Sequence, residues 1–180
     1  MRKTVRDLVV SVGWALCGVA PAQAFDHERA GDLLQNALPA GVAAVELWRG
    51  DHQGVWQLGA SFAVTVLATK ALKGAVRVER PDGSSDDAFP SGHASRAFVA
   101  ATYMHRRHGW ESAWPWYAAA TYVGWTRVHA DRHRWRDVAG SLALAGLSSW
   151  WLVAPAQQNA VALTPTLAAG RLAVELHARW

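Results

Sequence analysis

Six ionisable side chains from three separate stretches constrain this chain more than any other feature. Lys73 and Arg80-Pro81 read K-x6-R-P, and Pro90-Ser91-Gly92-His93 read P-S-G-H. Thr126-Arg127, His133 and Asp137 read T-R-x5-H-x3-D. Three cations, two imidazoles and one carboxylate are the residue types that hold a phosphate and cut its ester bond. A fold that serves them has to bring distant segments to one pocket. Each motif falls where an apolar segment meets a loop, so the pocket is expected at helix ends.

The periodicity predicts those helices. Residues 25–52 carry Leu33, Leu34, Ala37 and Leu38 on one face, with a break expected at Pro39-Ala40-Gly41. Gln53 to Lys73 is a longer apolar helix, on which Val55, Leu58, Phe62, Val66 and Leu72 recur at helical spacing. The polar run Glu79 to Asp87 is a loop. Ser91 is a good cap for a helix running to about Arg106. Trp114 to Thr126 and Asp131 to Val153 follow, the last stopped by Pro155. The tail from Arg171 to Trp180 alternates apolar and polar residues, which predicts a strand. Ala160 to Leu163 is its expected partner in a short hairpin. The expected organisation is a signal segment at 1–24, an N-terminal helical segment at 25–52, a core at 53–155 and a tail at 156–180.

The first 24 residues read as an export signal: Arg2, Lys3 and Arg6, a short apolar run from Leu8 to Ala20, then Ala22-Gln23-Ala24. The run is short for a membrane span, the other reading of such a segment. Cys17, the only cysteine, lies inside it, so no disulfide framework is expected. The pattern points to a bacterial envelope compartment, the periplasm. Of the 180 residues 51% are apolar and 18% charged, against a norm of roughly 25% charged. Eleven Trp suit boundaries between wet and apolar surroundings. The basic residues are 15 Arg and 3 Lys, and Arg forks suit phosphate oxygens. They form no stripe interleaved with aromatics, which argues against nucleic-acid binding.

His133 and Asp137 are four apart, which places them one turn apart on a helix face. A carboxylate beside an imidazole fixes its tautomer, and the free ring nitrogen then attacks phosphorus. Taken alone, the pair reads more readily as an ordinary helical ion pair or hydrogen bond. A helix start at Ser91-Gly92-His93 offers N–H groups to an anion, and Gly92 admits close approach. His93 stands where a general acid would protonate the leaving oxygen. Lys73, Arg80 and Arg127 would neutralise the non-bridging oxygens. His129, His133 and Asp137 also fit an i, i+4, i+8 metal ladder, which would leave the Lys and Arg motifs unexplained. His105-Arg106-Arg107-His108 reads as a solvated helix end. Arg132, Arg134 and Arg136 face either anionic headgroups or water.

Taken together, the motifs resemble the type 2 phosphatidic acid phosphatase family, whose pattern is K-x6-R-P, P-S-G-H and S-R-x5-H-x3-D. That family shares its site with bacterial acid phosphatases and vanadium haloperoxidases. The resemblance spans residues 53–155, and Thr126 stands where the family usually has Ser. It implies an all-α helical bundle with the site at one end. His133 would be the nucleophile, Asp137 its partner and His93 the acid. Lys73, Arg80, Ser91, Gly92 and Arg127 would bind phosphate, with neither metal nor cofactor. The expected activity is an exported phosphatase acting on a phosphomonoester or diphosphate through a phospho-histidine. A membrane lipid phosphate is the favoured substrate, with membrane association. The alternatives are a vanadium-dependent haloperoxidase and a non-enzymatic protein that binds anionic lipid. The chain is too short for the six spans of integral members; Gln53–Thr69 and Val138–Val153 are borderline spans.

Overall fold

A computed structural model of the chain describes residues 25–156, 161–168 and 171–178, the last two stretches by backbone alone. The expected signal segment, with Cys17, lies outside the described residues. Five helices make up the described bundle: α1 His27–Trp48, α2 His52–Ala75, α3 Gly92–His108, α4 Trp110–His129 and α5 Trp135–Leu152. Asp26 opens α1 by accepting from the backbone N–H of Arg29 at 3.0 Å, and Asp51 opens α2 by accepting from that of Gly54 at 2.8 Å.

Helix α1 runs unbroken through Pro39, where a break was expected. An interior proline costs one backbone bond and crowds the preceding turn. Packing offsets that cost, because Leu38 and Val42 on either side are buried in the core. Gly41 sits under the indole of Trp116 on α4, close enough that an added Cβ would meet the ring at 3.3 Å.

Helix α3 forms the centre of the bundle and packs against the other four. Its small residues Ala94, Ala97, Ala100 and Ala101 are fully buried beside Phe98, Val99, Tyr103 and Met104. Short side chains on every face let helices approach from all sides. Helix α4 starts at Trp110, four residues before the expected Trp114, with Pro115 inside it. It packs closely on α5 at Gly124, whose added Cβ would meet Val138 at 2.6 Å.

Helix α5 starts at Trp135, not at the expected Asp131. Asp131 takes a left-handed backbone, φ 54°. The N–H groups of Arg132 and His133 turn back to the carbonyl of Arg127, at 3.0 and 3.3 Å. These residues therefore cap α4 and do not begin α5.

The up-and-down order places the C-terminal ends of α2 and α4 and the N-terminal ends of α1, α3 and α5 at one end of the bundle. Lys73, Arg127 and the start of α3 thus share that end. Many Trp residues face outward: Trp48, Trp56, Trp110, Trp114, Trp150 and Trp151 are exposed at helix ends remote from it. Among the described residues one helix, α2, is long and apolar enough to cross a membrane. Beyond the bundle, the backbone of Val161–Ala168 (β1) lies antiparallel to that of Arg171–Ala178 (β2), Val161 opposite Ala178. The fold class is the all-helical one of the bundle.

Candidate active site

A polar cavity of about 410 Å³ opens at the shared end, lined by Glu28, Asp32, Gln35, Arg80, His93, Arg127, Arg132 and His133. Four of the sequence-predicted residues, Arg80, His93, Arg127 and His133, face it. A second cavity of about 320 Å³, between Thr102, Tyr117 and Trp150, contains none of them.

Lys73, in the last turn of α2, stands behind the first group. Its Nζ donates to the backbone carbonyl of Asp87 and lies 3.4 Å from the Asp87 carboxylate. The same carboxylate holds Arg80 Nη2 at 2.9 Å. Burial, with Arg80 nearby, lowers the pKa of Lys73, while Asp87 opposes the shift. Gly92 adjoins this ammonium: an added Cβ would come within 4.0 Å of Lys73 Cε. Ser91 is fully buried. Its hydroxyl caps α3 by accepting from Ala94 N–H at 3.5 Å, and its own N–H donates to the carbonyl of Asp137 at 3.2 Å. Of the N–H groups expected to be offered to an anion at this helix start, that of Ser91 is therefore not free, being occupied by α5.

His133 precedes α5 and Asp137 lies in that helix's first turn, so the two do not share a helix face as expected. The imidazole is 4% exposed, and its Nδ1 donates to the carbonyl of Ala88 at 2.8 Å. Asp137 Oδ2 is 3.8 Å from the same nitrogen, beyond hydrogen-bond reach. It accepts instead from the backbone N–H of Arg134 at 2.8 Å. Asp137 Oδ1 is buried with no hydrogen-bond partner among the described residues. Because a carbonyl only accepts, Nδ1 carries the proton and Nε2 keeps its lone pair. Burial above all, then the charge of Lys73, pushes the pKa of His133 down to about 4, so the ring is neutral near neutrality.

Across the cavity, Asp32 Oδ1 accepts from His93 Nε2 at 2.9 Å and pairs with Arg127 Nη1 at 3.0 Å. Glu28, one turn earlier on α1, lies 3.6 Å from Arg127 Nη1 and gives its backbone carbonyl to Arg127 Nη2 at 2.6 Å. Burial and then Arg127 lower the pKa of His93; Asp32 works against them. Thr126 keeps a hydroxyl that accepts from Arg127 Nε at 3.3 Å and so helps to orient the guanidinium. Glu28, Asp32 and Asp87 were not anticipated from sequence. The i, i+4, i+7 spacing of Glu28, Asp32 and Gln35 on α1 was the signal that would have found the first two.

One further expectation is corrected, and one rival reading falls. His105-Arg106-Arg107-His108 is not a solvated end. Arg107 is buried against Asp51, and its Nη1 reaches Gln57 and the carbonyl of Ala154, each at 3.0 Å. His108 bonds the buried Glu46 at 2.6 Å, and Arg106 stacks over Trp150 at 4.8 Å. The ladder of His129, His133 and Asp137 does not form either, because His129 stacks on Trp125 at 4.8 Å and His133 is off the helix. Arg132 pairs with Asp82 at 2.9 Å and with Glu28 at 3.4 Å, and Arg134 donates to the carbonyl of Glu79 at 2.9 Å.

The chain as a whole is similar to known proteins. The model of the PAP2 superfamily matches residues 54–161. A lipid A 4'-phosphatase from Helicobacter pylori is 34% identical over 137 residues, which cover 69% of this chain and 69% of that protein. A lipid A 1-phosphatase from Porphyromonas gingivalis is 35% identical over 79 residues, 41% of this chain but only 18% of that protein. The crystal structure of Aquifex aeolicus LpxE superposes with a TM-score of 0.50 at 18% identity, covering 66% of this chain and 82% of that one. That likeness is one of fold.

Proposed function

The chain belongs to the PAP2 superfamily and is a phosphatase of that type, and we propose that it hydrolyses a phosphomonoester on a lipid by way of a phospho-histidine on His133. The observation that carries this reading is the placement of the His133 ring. It lines the cation cavity with Nδ1 tied to Ala88, which leaves Nε2 as the nucleophile.

Arg80 and Arg127 at the cavity wall, with Lys73 behind, neutralise the non-bridging oxygens. The Nε2 lone pair attacks phosphorus and the bond to the leaving oxygen breaks. Protonated His93 gives its proton to that oxygen, which departs as an alcohol. Neutral His93 then takes a proton from water as the oxygen attacks phosphorus. The P–N bond breaks, and inorganic phosphate leaves. The relatives' names support a lipid A-like phosphate as substrate, and the N-terminal signal pattern supports export to the periplasm. The outward Trp residues and α2 support contact with the membrane. Residues 53–155 form the catalytic core, and 25–52 close one wall of the site.

The test is phosphate release by the purified chain from lipid A, phosphatidate and p-nitrophenyl phosphate, with wild type and His133→Ala. The reading requires that lipid A be turned over and that the substitution abolish turnover of every substrate.

A further inference from the structure

We propose that Asp32 determines specificity, by accepting a hydrogen bond from a hydroxyl or amine of the leaving group beside the phosphate. The inference rests on the reading above, since His93 marks the side from which the leaving group departs. Asp32 Oδ1 is bonded to the His93 ring at 2.9 Å, so the carboxylate stands on that same side. The side chain is 50% exposed and lines the cavity. Its Oδ1 is shared by His93 and Arg127, whereas Oδ2 has no partner among the described residues. An ionised carboxylate oxygen accepts hydrogen bonds and cannot donate them. A leaving group rich in donors, such as a sugar, satisfies it. A second phosphate at that place is repelled, and a diacylglycerol leaving group without donors leaves Oδ2 unmatched.

The position is held by α1. Gly31 lies so close to Thr126 that an added Cβ would overlap the Thr126 hydroxyl, and the carbonyl of Glu28 takes Arg127 Nη2 at 2.6 Å. Gln35 Nε2 donates to the carbonyl of Asp32 at 3.1 Å, and Arg96 Nη1 donates to Gln35 Oε1 at 3.3 Å. The carboxylate is thus presented by a helix fixed to the cation it borders.

Hydrolysis of a phosphorylated alkyl glucoside and of the alkyl phosphate of equal chain length, in the same micelles, tests this with the full chain. Wild type should prefer the phosphosugar. A fully buried acceptor discriminates by about 10⁴-fold or more; for this half-exposed one the expected preference is about tenfold. Asp32→Ala should lower kcat/KM for the phosphosugar about tenfold more than for the alkyl phosphate. Asp32→Asn should narrow the preference, because the carboxylate acceptor is lost and only a donor to a sugar hydroxyl oxygen remains. Its oxygen stays with His93 and Arg127, and its NH₂ then turns to the substrate. Equal or no turnover of the two probes by wild type overturns the inference. So do losses by one common factor in both variants, which would leave Asp32 only orienting His93 and Arg127. Failure of the underlying reading looks different: His133→Ala would leave turnover intact.

Discussion

The imidazole of His133 gives its Nδ1 proton to the backbone carbonyl of Ala88, 2.8 Å away. The carboxylate of Asp137, 3.8 Å from that nitrogen, is an electrostatic neighbour and not its hydrogen-bond partner. A main-chain group therefore sets the tautomer. Asp137→Asn, which still accepts from Arg134 N–H, should lower kcat about tenfold. A carboxylate that alone orients a catalytic imidazole costs roughly 10⁴-fold when made an amide. Steady-state rates of the purified variant decide between the two.

The pH profile follows from two imidazoles whose pKa values are both lowered. His133 must be neutral to attack, and it loses that form only as pH falls to about 4. His93 must be protonated to act as acid, and burial and Arg127 hold its pKa below the ordinary 6.5. The kcat/KM profile, which reports free-enzyme groups, should be a bell on the acid side, rising through about 4 and falling before 6.5. An optimum above neutrality would contradict this assignment of roles.

Arg80→Ala and Arg127→Ala should each lower kcat/KM by about 10²–10³-fold, the range for removing one donor to transition-state charge. Replacement by Lys should recover only part of that, since a point charge lacks the planar fork. Wild-type rates in either alanine variant would remove the cation cage from the account.

Arg107→Ala tests the polar cluster at the other end of the bundle. The substitution strands the carboxylate of Asp51 and the carbonyl of Ala154 that the guanidinium now satisfies. The expected cost is about 3 kcal/mol, as when one member of a buried pair is removed. Thermal or denaturant unfolding should show it, while turnover per folded molecule stays at the wild-type level.

The fold class and the cation set were legible because their signals are local. Apolar periodicity marked the helices, and the fixed spacings marked Lys73, Arg80, His93, Arg127 and His133. What was hidden depends on tertiary packing. Pro39 looked like a break because proline removes a backbone bond locally, whereas burial of Leu38 and Val42 keeps the helix continuous past it. The start of α5 was misplaced because spacing cannot reveal the left-handed turn at Asp131. That turn takes His133 off the helix and gives its Nδ1 to the carbonyl of Ala88, with Asp137 3.8 Å away. Arg107 looked solvated because its partners, Asp51, Gln57 and Ala154, come from segments far away in sequence. Asp32 and Glu28 went unnoticed because their meaning appears only when α1 lies against Arg127.

The most direct test of the account is rapid quench of wild-type enzyme during turnover of a labelled lipid phosphate, under alkaline conditions that preserve phosphohistidine, followed by mapping of the labelled peptide. The His133 imidazole should be phosphorylated transiently at a rate that supports turnover, and no label should appear in His133→Ala. Label on another residue, or full turnover by His133→Ala, would contradict it.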